Sequence, residues 1–185
     1  LGNGCLYVRK EMIPKFWPLQ AAPEQQDNDI RKFESIGTHP WAIRAALGES
    51  LAFHQAIGAE RKAARLRYLS LRWVNALKAY PRVKILTDTS EPAQSWGVVA
   101  VNIEGIDVRA LAGFLRSNYR IVVVPLVGGA PPNQVFPYQA LRVSPNVYTT
   151  LEEIDTFVEG MEEAVKNGIS GSPDPVPAYP ADFVV

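Results

Sequence analysis

Residues 141–157 read LRVSPNVYTTLEEIDTF, and this stretch decides the fold of the chain around it. It predicts a short apolar strand that carries Arg142, then a sharp turn, then an amphipathic helix that opens with a capping box. The residues that can form this box are Thr149 or Thr150 with Glu152 or Glu153. An arginine fixed by rigid elements can bind a carboxylate through two parallel hydrogen bonds. Arg142 is therefore a candidate carboxylate ligand, with a solvated or ion-paired arginine as the alternative.

The residues before this stretch alternate between strand-like and helical patterns. Strands are predicted at 83–87, 96–103, 120–127 and 139–144, with a helix at 107–118 that Asp107 caps. Two longer helices precede them, one from about residue 40 to 57 that stops at Gly58 and one at 59–79. The expected fold is a small α+β domain with a mostly antiparallel sheet, preceded by long connecting helices.

The first forty residues are less regular. They predict a short strand at 6–9, an irregular apolar segment at 14–20 and a polar loop at 21–30. Gly37 and Thr38 come just before the first long helix, where free backbone N–H groups and a hydroxyl can bind an anion. A simple helix cap by Thr38 or His39 is the alternative and is the commoner use of such residues.

The composition excludes several function classes. The 19 basic residues balance the 19 acidic ones, so the overall charge favours neither nucleic acid nor an anionic membrane as a partner. Cys5 is the only cysteine, which excludes a disulfide framework within the chain and suits a reducing, cytoplasmic compartment. No apolar run approaches the ~20 residues that would span a bilayer.

Other motifs point to ordinary structure. A basic run on the second long helix alternates with apolar residues, which predicts a solvated helix face rather than a nucleic-acid surface. That run comprises Arg61, Lys62, Arg65, Arg67 and Arg72. His39 and His54 are the only histidines, so no metal-ligand cluster is expected. The glycine- and proline-rich segment 128–138 lacks the residues of a phosphate-binding loop and predicts a mobile loop between two strands.

Taken together, four segments resemble the C-terminal part of class V aminotransferase-fold enzymes, which use pyridoxal 5′-phosphate (PLP). The segments are GCLYVRKEMIP at 4–14, RKFESIGTHP at 31–40, FHQAIGAERKAARLRYL at 53–69 and residues 141–157. Their order and spacing also agree with the family, and isopenicillin-N-epimerase-like members look most similar. The resemblance implies the α/β fold type I of PLP-dependent transferases. It assigns residues 1–38 to the end of a large PLP-binding domain, 39–80 to connecting helices, 81–168 to a small α+β domain and 169–185 to a proline-rich extended tail.

The resemblance also assigns site residues. In such enzymes the Gly-Thr pair reaches across a homodimer to the PLP phosphate of the other subunit, which implies this role for Gly37 and Thr38. The arginine before the last helix binds the substrate α-carboxylate, which implies that role for Arg142. Asn146 and Tyr148 are expected to help position the substrate on the turn beside it.

The family's catalytic lysine, which forms a Schiff base with PLP, falls a few residues before Gly2 in the aligned pattern. The aspartate and the aromatic or histidine residue that hold the PLP ring fall further upstream. The chain is therefore expected to begin just after this lysine and to be inactive alone, with the N-terminal half cleaved off, supplied as a separate fragment or absent. Lys10 and Lys15 follow the predicted strand and are not credible substitutes.

The resemblance leaves the reaction open between transamination, epimerisation and lyase chemistry on an amino acid. Cysteine desulfurases of this fold present a nucleophilic cysteine from the loop before the carboxylate arginine, and segment 128–138 has none. Desulfurase activity is therefore not expected. The alternative function is a non-catalytic small α+β domain that binds a partner or an amino acid.

Overall fold

The computed structural model describes residues 4–91, 97–127 and 139–169. The chain divides into two compact units, Leu1–Gly58 and Ala59–Val185. The predictions for the loop at 128–138 and for the tail fall outside the described residues, apart from Ile169 at the start of the tail.

The first unit contains short 3₁₀ helices followed by one long helix. The 3₁₀ helices are Lys10–Lys15, Glu24–Gln26 and Ile30–Glu34. The strand predicted at 6–9 is wrong, because these residues adopt no regular structure and pair with no strand among the described residues. An isolated strand leaves its backbone hydrogen bonds unpaired, so apolar alternation alone does not produce one.

The long helix of the first unit, α1, spans Trp41–Ile57. Gly58 ends it with a positive φ of 91°, and its N–H donates to the carbonyl of His54. The predicted cap at Thr38 or His39 is wrong, because Pro40 occupies the cap position and no side chain caps the helix. Proline is well suited to the start of a helix, since it has no N–H to satisfy there.

The second unit is a four-stranded sheet with three helices. The helices are α2 (Ala59–Leu77), α3 (Val108–Tyr119) and α4 (Leu151–Asn167). The strands are β1 (Val83–Ile85), β2 (Val99–Ile103), β3 (Val124–Leu126) and β4 (Ala140–Val143). The sheet has the order β1-β2-β4-β3 and every pair is antiparallel, which confirms the predicted sheet type.

The core of this unit lies between one face of the sheet and the helices. Alternate residues of β2 and β4, among them Val99, Val101, Leu141 and Val143, point into it. At its centre the ring of Trp73 on α2 meets that of Phe157 on α4 edge to face, with 5.3 Å between the ring centroids. The apolar stripe predicted on the last helix is thus the surface that packs against the rest of the unit.

All four strands are shorter than predicted, and particular hydrogen bonds explain this for β1 and β3. The hydroxyl of Thr87 accepts the N–H of Ala100 at 2.9 Å, so a side chain continues the ladder where β1 has ended. Arg120 has a left-handed backbone with φ 57°, and Ile121 donates to the carbonyl of Leu115, so residues before β3 close the end of α3 instead of pairing. Asp107 accepts from the N–H groups of Arg109 and Ala110, which confirms the predicted cap.

Candidate functional site

Arg142 lies in the middle of the sheet, on the face opposite the core. Its neighbours along β4, Leu141 and Val143, are buried, whereas Arg142 is exposed, as alternation in a strand requires. The residues paired with it across the sheet are Ala100 and Val124, both uncharged. The guanidinium makes no hydrogen bond or ion pair with any residue that the structure describes. Among these residues none competes with a carboxylate for the guanidinium, and its strand is held by neighbours on both sides.

The turn after β4 is closed by its own hydrogen bonds. Thr149 donates its N–H to the carbonyl of Asn146 at 2.9 Å, and its hydroxyl accepts the N–H of Asn146 at 3.0 Å. The Asn146 side-chain amide donates to the Tyr148 hydroxyl at 3.3 Å, so these two predicted residues are brought together. Both are exposed, and neither makes a hydrogen bond with Arg142. The turn is thus rigid and presents the amide and phenol side chains to solvent.

Helix α4 starts from this turn. The hydroxyl of Thr150 accepts the N–H of Glu153 at 3.1 Å, and the Glu153 carboxylate accepts the N–H of Thr150 at 2.8 Å. The structure therefore selects Thr150 and Glu153 from the four residues that could form the predicted capping box.

Two arginines of α2 support the same region. Arg65 donates to the carbonyl of Thr149 at 2.9 Å, and Arg72 binds both carboxylate oxygens of Asp155 at 2.6 and 2.7 Å. The basic run is thus not simply solvated, because Arg65 is partly buried and Arg72, although exposed, forms an ion pair with α4. Arg65 and Arg72 are seven positions apart, which places them on one face of the helix, and this spacing was the signal that the sequence reasoning missed. Arg65 fixes the turn that follows the strand of Arg142.

A groove of about 650 Å³ opens beside this turn, but Arg142 does not line it. Its walls include Ile121 and Val123 before β3, Ser144 after β4, and Thr156 on α4. Val143, on the core face of β4, also lines the groove, so the groove opens on the face opposite Arg142. We therefore place the candidate carboxylate site on the open sheet face and not in the groove.

Gly37 and Thr38 lie in the first unit, between the 3₁₀ helix Ile30–Glu34 and α1. Gly37 has a φ of 79°, which favours glycine, and the space where a Cβ would stand is empty. The N–H groups of Gly37, Thr38 and His39 and the Thr38 hydroxyl have no acceptor or donor among the described residues. Backbone N–H groups and a hydroxyl just before a helix can donate hydrogen bonds to a phosphate, so the donors present here fit the phosphate of PLP.

The structure places the predicted site residues in two groups. Gly37 and Thr38 belong to the first unit, and Arg142, Asn146 and Tyr148 belong to the second. Among the residues described, no group of three or more histidine, cysteine, aspartate or glutamate side chains could hold a metal ion. Within the same residues, no helix is long and apolar enough to cross a membrane.

The chain is similar to known proteins in family, in sequence and in fold. Residues 1–157 match the family model of aminotransferase class V. The isopenicillin N epimerase of Streptomyces clavuligerus is 34% identical over 134 residues, which cover 72% of this chain and 32% of that protein. A probable hercynylcysteine sulfoxide lyase of Mycobacterium tuberculosis (strain CDC 1551 / Oshkosh) is 27% identical over 165 residues, which cover 88% of this chain and 41% of that protein. The chain thus spans less than half the length of these curated relatives.

Solved structures show the same fold. The apo structure of a cysteine desulfurase from Thermococcus onnurineus NA1 matches with a TM-score of 0.69 at 24% identity, over 86% of this chain and 42% of that one. A NifS-like protein from Rickettsia africae ESF-5 matches with a TM-score of 0.58 at 21% identity, over 80% of this chain and 39% of that one. At these identities the likeness concerns the fold, which is that of PLP-dependent transferases of fold type I.

Proposed function

The chain belongs to the aminotransferase class V family, and from this premise we propose that it forms the C-terminal portion of a PLP-dependent enzyme that acts on an amino acid. In this proposal the chain supplies the group that binds the substrate carboxylate and a group that contacts the cofactor phosphate. The remainder of the protein supplies the lysine and the other ligands of PLP.

The observation that carries the proposal is the exposed guanidinium of Arg142, which has no partner among the described residues and lies on a strand hydrogen-bonded on both sides. A strand fixes the Cα position and the direction in which the side chain leaves the backbone, and the planar guanidinium can bind a planar carboxylate through two parallel hydrogen bonds. The uncharged neighbours Ala100 and Val124 do not compete for the guanidinium. Arg142 thereby holds the amino acid by its carboxylate and sets the orientation of its Cα.

PLP, when bound, withdraws electrons from the Cα of the amino acid and so makes the bonds to that atom easier to break. Gly37 and Thr38 would hold its phosphate with backbone N–H groups and the Thr38 hydroxyl. We propose that they do so in a homodimer, each subunit completing the phosphate site of the other. Asn146 and Tyr148 would bound the substrate position from the rigid turn after β4.

The reaction proposed is transamination, epimerisation or elimination rather than sulfur transfer. The relatives named above include an epimerase and a lyase. The likeness to cysteine desulfurases concerns the fold, and sulfur transfer needs a mobile cysteine that can reach the substrate. Cys5, the only cysteine of the chain, lies in the first unit, far in sequence from the segment that precedes Arg142.

The test compares Arg142→Ala with Arg109→Ala in the complete protein loaded with PLP. Arg109 is the matched control, because it is exposed on α3 and its side chain makes no hydrogen bond with the described residues. Binding of amino acids is followed through the absorbance of the cofactor. Arg142→Ala is expected to weaken binding by about 2–3 kcal/mol, the value of a charge-assisted bidentate contact. Equal affinity in the two variants would show that Arg142 does not bind the carboxylate.

A second candidate is a non-catalytic module that binds an amino acid or a partner. The observation that favours this candidate is the buried cluster of the second unit. All of its residues belong to that unit, as expected of a domain that folds by itself. Intact mass and absorbance of the protein purified from its source separate the candidates. A single species of this length without the absorbance of PLP would support the module, whereas a longer or two-piece species that carries PLP would support the enzyme.

A further inference from the structure

The side chain of His39 holds the peptide group between Gly37 and Thr38. The His39 Nδ1 lies 2.9 Å from the carbonyl oxygen of Gly37. A carbonyl can only accept, so Nδ1 carries the proton and donates it. His39 is partly buried and precedes Pro40, which confines the His39 backbone to the extended region. The imidazole therefore starts from a restricted backbone and is directed back at the glycine.

This hydrogen bond also sets the direction of a second group. In a planar trans peptide the C=O and the N–H point in opposite directions. Fixing the Gly37 carbonyl towards His39 therefore fixes the Thr38 N–H on the other side of the same peptide. Gly37 has a positive φ of 79° and no side chain that would otherwise limit rotation of this peptide.

We propose that His39 is a positioning residue of the phosphate site, and that it acts by aiming the Thr38 N–H at the phosphate. This inference rests on the proposed function, in which Gly37 and Thr38 contact a phosphate. It differs from a helix-capping role, because Pro40 is the cap residue of α1 and no side chain accepts from the first N–H groups of this helix. It needs only the proton on Nδ1, so the neutral ring is sufficient.

Two variants separate positioning by Nδ1 from a general structural role. His39→Ala removes the donor, whereas His39→Asn keeps an amide N–H near the position of Nδ1–H. Inorganic phosphate is titrated into the complete ¹⁵N-labelled protein freed of PLP, and the amide signals of Gly37 and Thr38 are followed by NMR. His39→Ala is expected to weaken phosphate binding by about three- to tenfold, the effect of one neutral hydrogen bond, and His39→Asn is expected to restore most of it.

The possible outcomes test the role of His39 and the phosphate site separately. If wild-type chain and His39→Ala bind phosphate equally, the role of His39 is refuted while the phosphate site stands. If His39→Asn is as weak as His39→Ala, a donor at Nδ1 is not the cause. If phosphate leaves the Gly37 and Thr38 signals of the wild-type chain unchanged, the proposed phosphate site itself fails. The ¹⁵N spectrum of the wild-type imidazole needs no variant, and a proton on Nε2 alone would overturn the inference.

Discussion

At the scale of single residues, Gly97 marks a close approach between α2 and the chain just before β2. It has a φ of 106°, and a Cβ built on it would lie 2.9 Å from the Cβ of Leu66. Gly97→Ala is expected to cost about 2–5 kcal/mol of unfolding free energy, because backbone strain and overpacking add. Urea unfolding followed by circular dichroism measures this cost.

Gly105 provides the control for this prediction. Its φ of 82° is similarly positive, but the nearest atom to an added Cβ is an Arg82 guanidinium nitrogen at 3.5 Å, an ordinary contact. Gly105→Ala should therefore reduce the unfolding free energy only through backbone strain, by about 1–2 kcal/mol. Equal losses at the two glycines would contradict the close approach of α2.

Single residues also show how far sequence reasoning reaches. The exposure of Arg142 could be predicted, because alternation in a strand follows directly from the apolar residues on either side. The role of His39 could not, since its hydrogen bond depends on the positive φ of Gly37 and on a restricted backbone before Pro40. Nothing in the residue types alone separates this histidine from a helix cap.

At the scale of elements, the capping box should contribute measurably to α4. Thr150→Ala removes the acceptor of the Glu153 N–H and is expected to cost about 1 kcal/mol. Thr156→Ala is the control, because its hydroxyl donates to a carbonyl inside the same helix, and its loss should change stability by less than about 0.5 kcal/mol. Urea midpoints of the two variants give the comparison, and a larger loss at Thr156 would count against the box.

The contact between α2 and α4 should respond to pH. The Arg72 guanidinium lowers the pKa of the Asp155 carboxyl below its usual value through their hydrogen bonds. A carboxyl whose folded pKa is depressed adds stability above its unfolded pKa of about 3.9, and this stability is lost as the pH falls through the folded pKa. Arg72→Met should therefore be less stable than the wild type at neutral pH, and the difference should vanish in acid.

Unfolding curves at several pH values test this dependence, and ¹³C NMR titration of Asp155 gives the pKa directly. Both side chains are more than a third exposed, so added salt should also shrink the difference. Arg109→Met serves as the control and should leave the titration of Asp155 unchanged. A normal pKa for Asp155 in the wild type would contradict the ion pair.

The order and type of these elements were predictable, but some ends were not. Most helices and strands of the second unit follow from the periodic spacing of their apolar residues, because this spacing reflects burial on one face. The ends of β1 and β3 depend instead on particular hydrogen bonds. After β1, the N–H of Ala100 donates to the Thr87 hydroxyl. Before β3, the N–H of Ile121 donates to the Leu115 carbonyl. Such contacts join residues distant in sequence or in special backbone conformations, which periodicity does not encode.

At the scale of the whole molecule, the two units should differ in their ability to fold alone. The buried cluster lies entirely within the second unit, whereas Ile13 and Lys32 are the only buried residues described in the first. A fragment of residues 59–169 should therefore unfold cooperatively in urea and give dispersed NMR signals. A fragment of residues 1–58 should give neither, because it has too little buried apolar surface to offset its conformational entropy.

Among the described strands β3 lies at an edge of the sheet, and its middle residue is Pro125. Proline has no N–H, so the outer edge of the sheet lacks one of the donors that another strand would need. Exposed strand edges are templates for aggregation and amyloid growth, and a proline at the edge is one of the devices that proteins use against this hazard. Pro125 should therefore protect the second unit from polymerising through β3 when it is concentrated or partly unfolded.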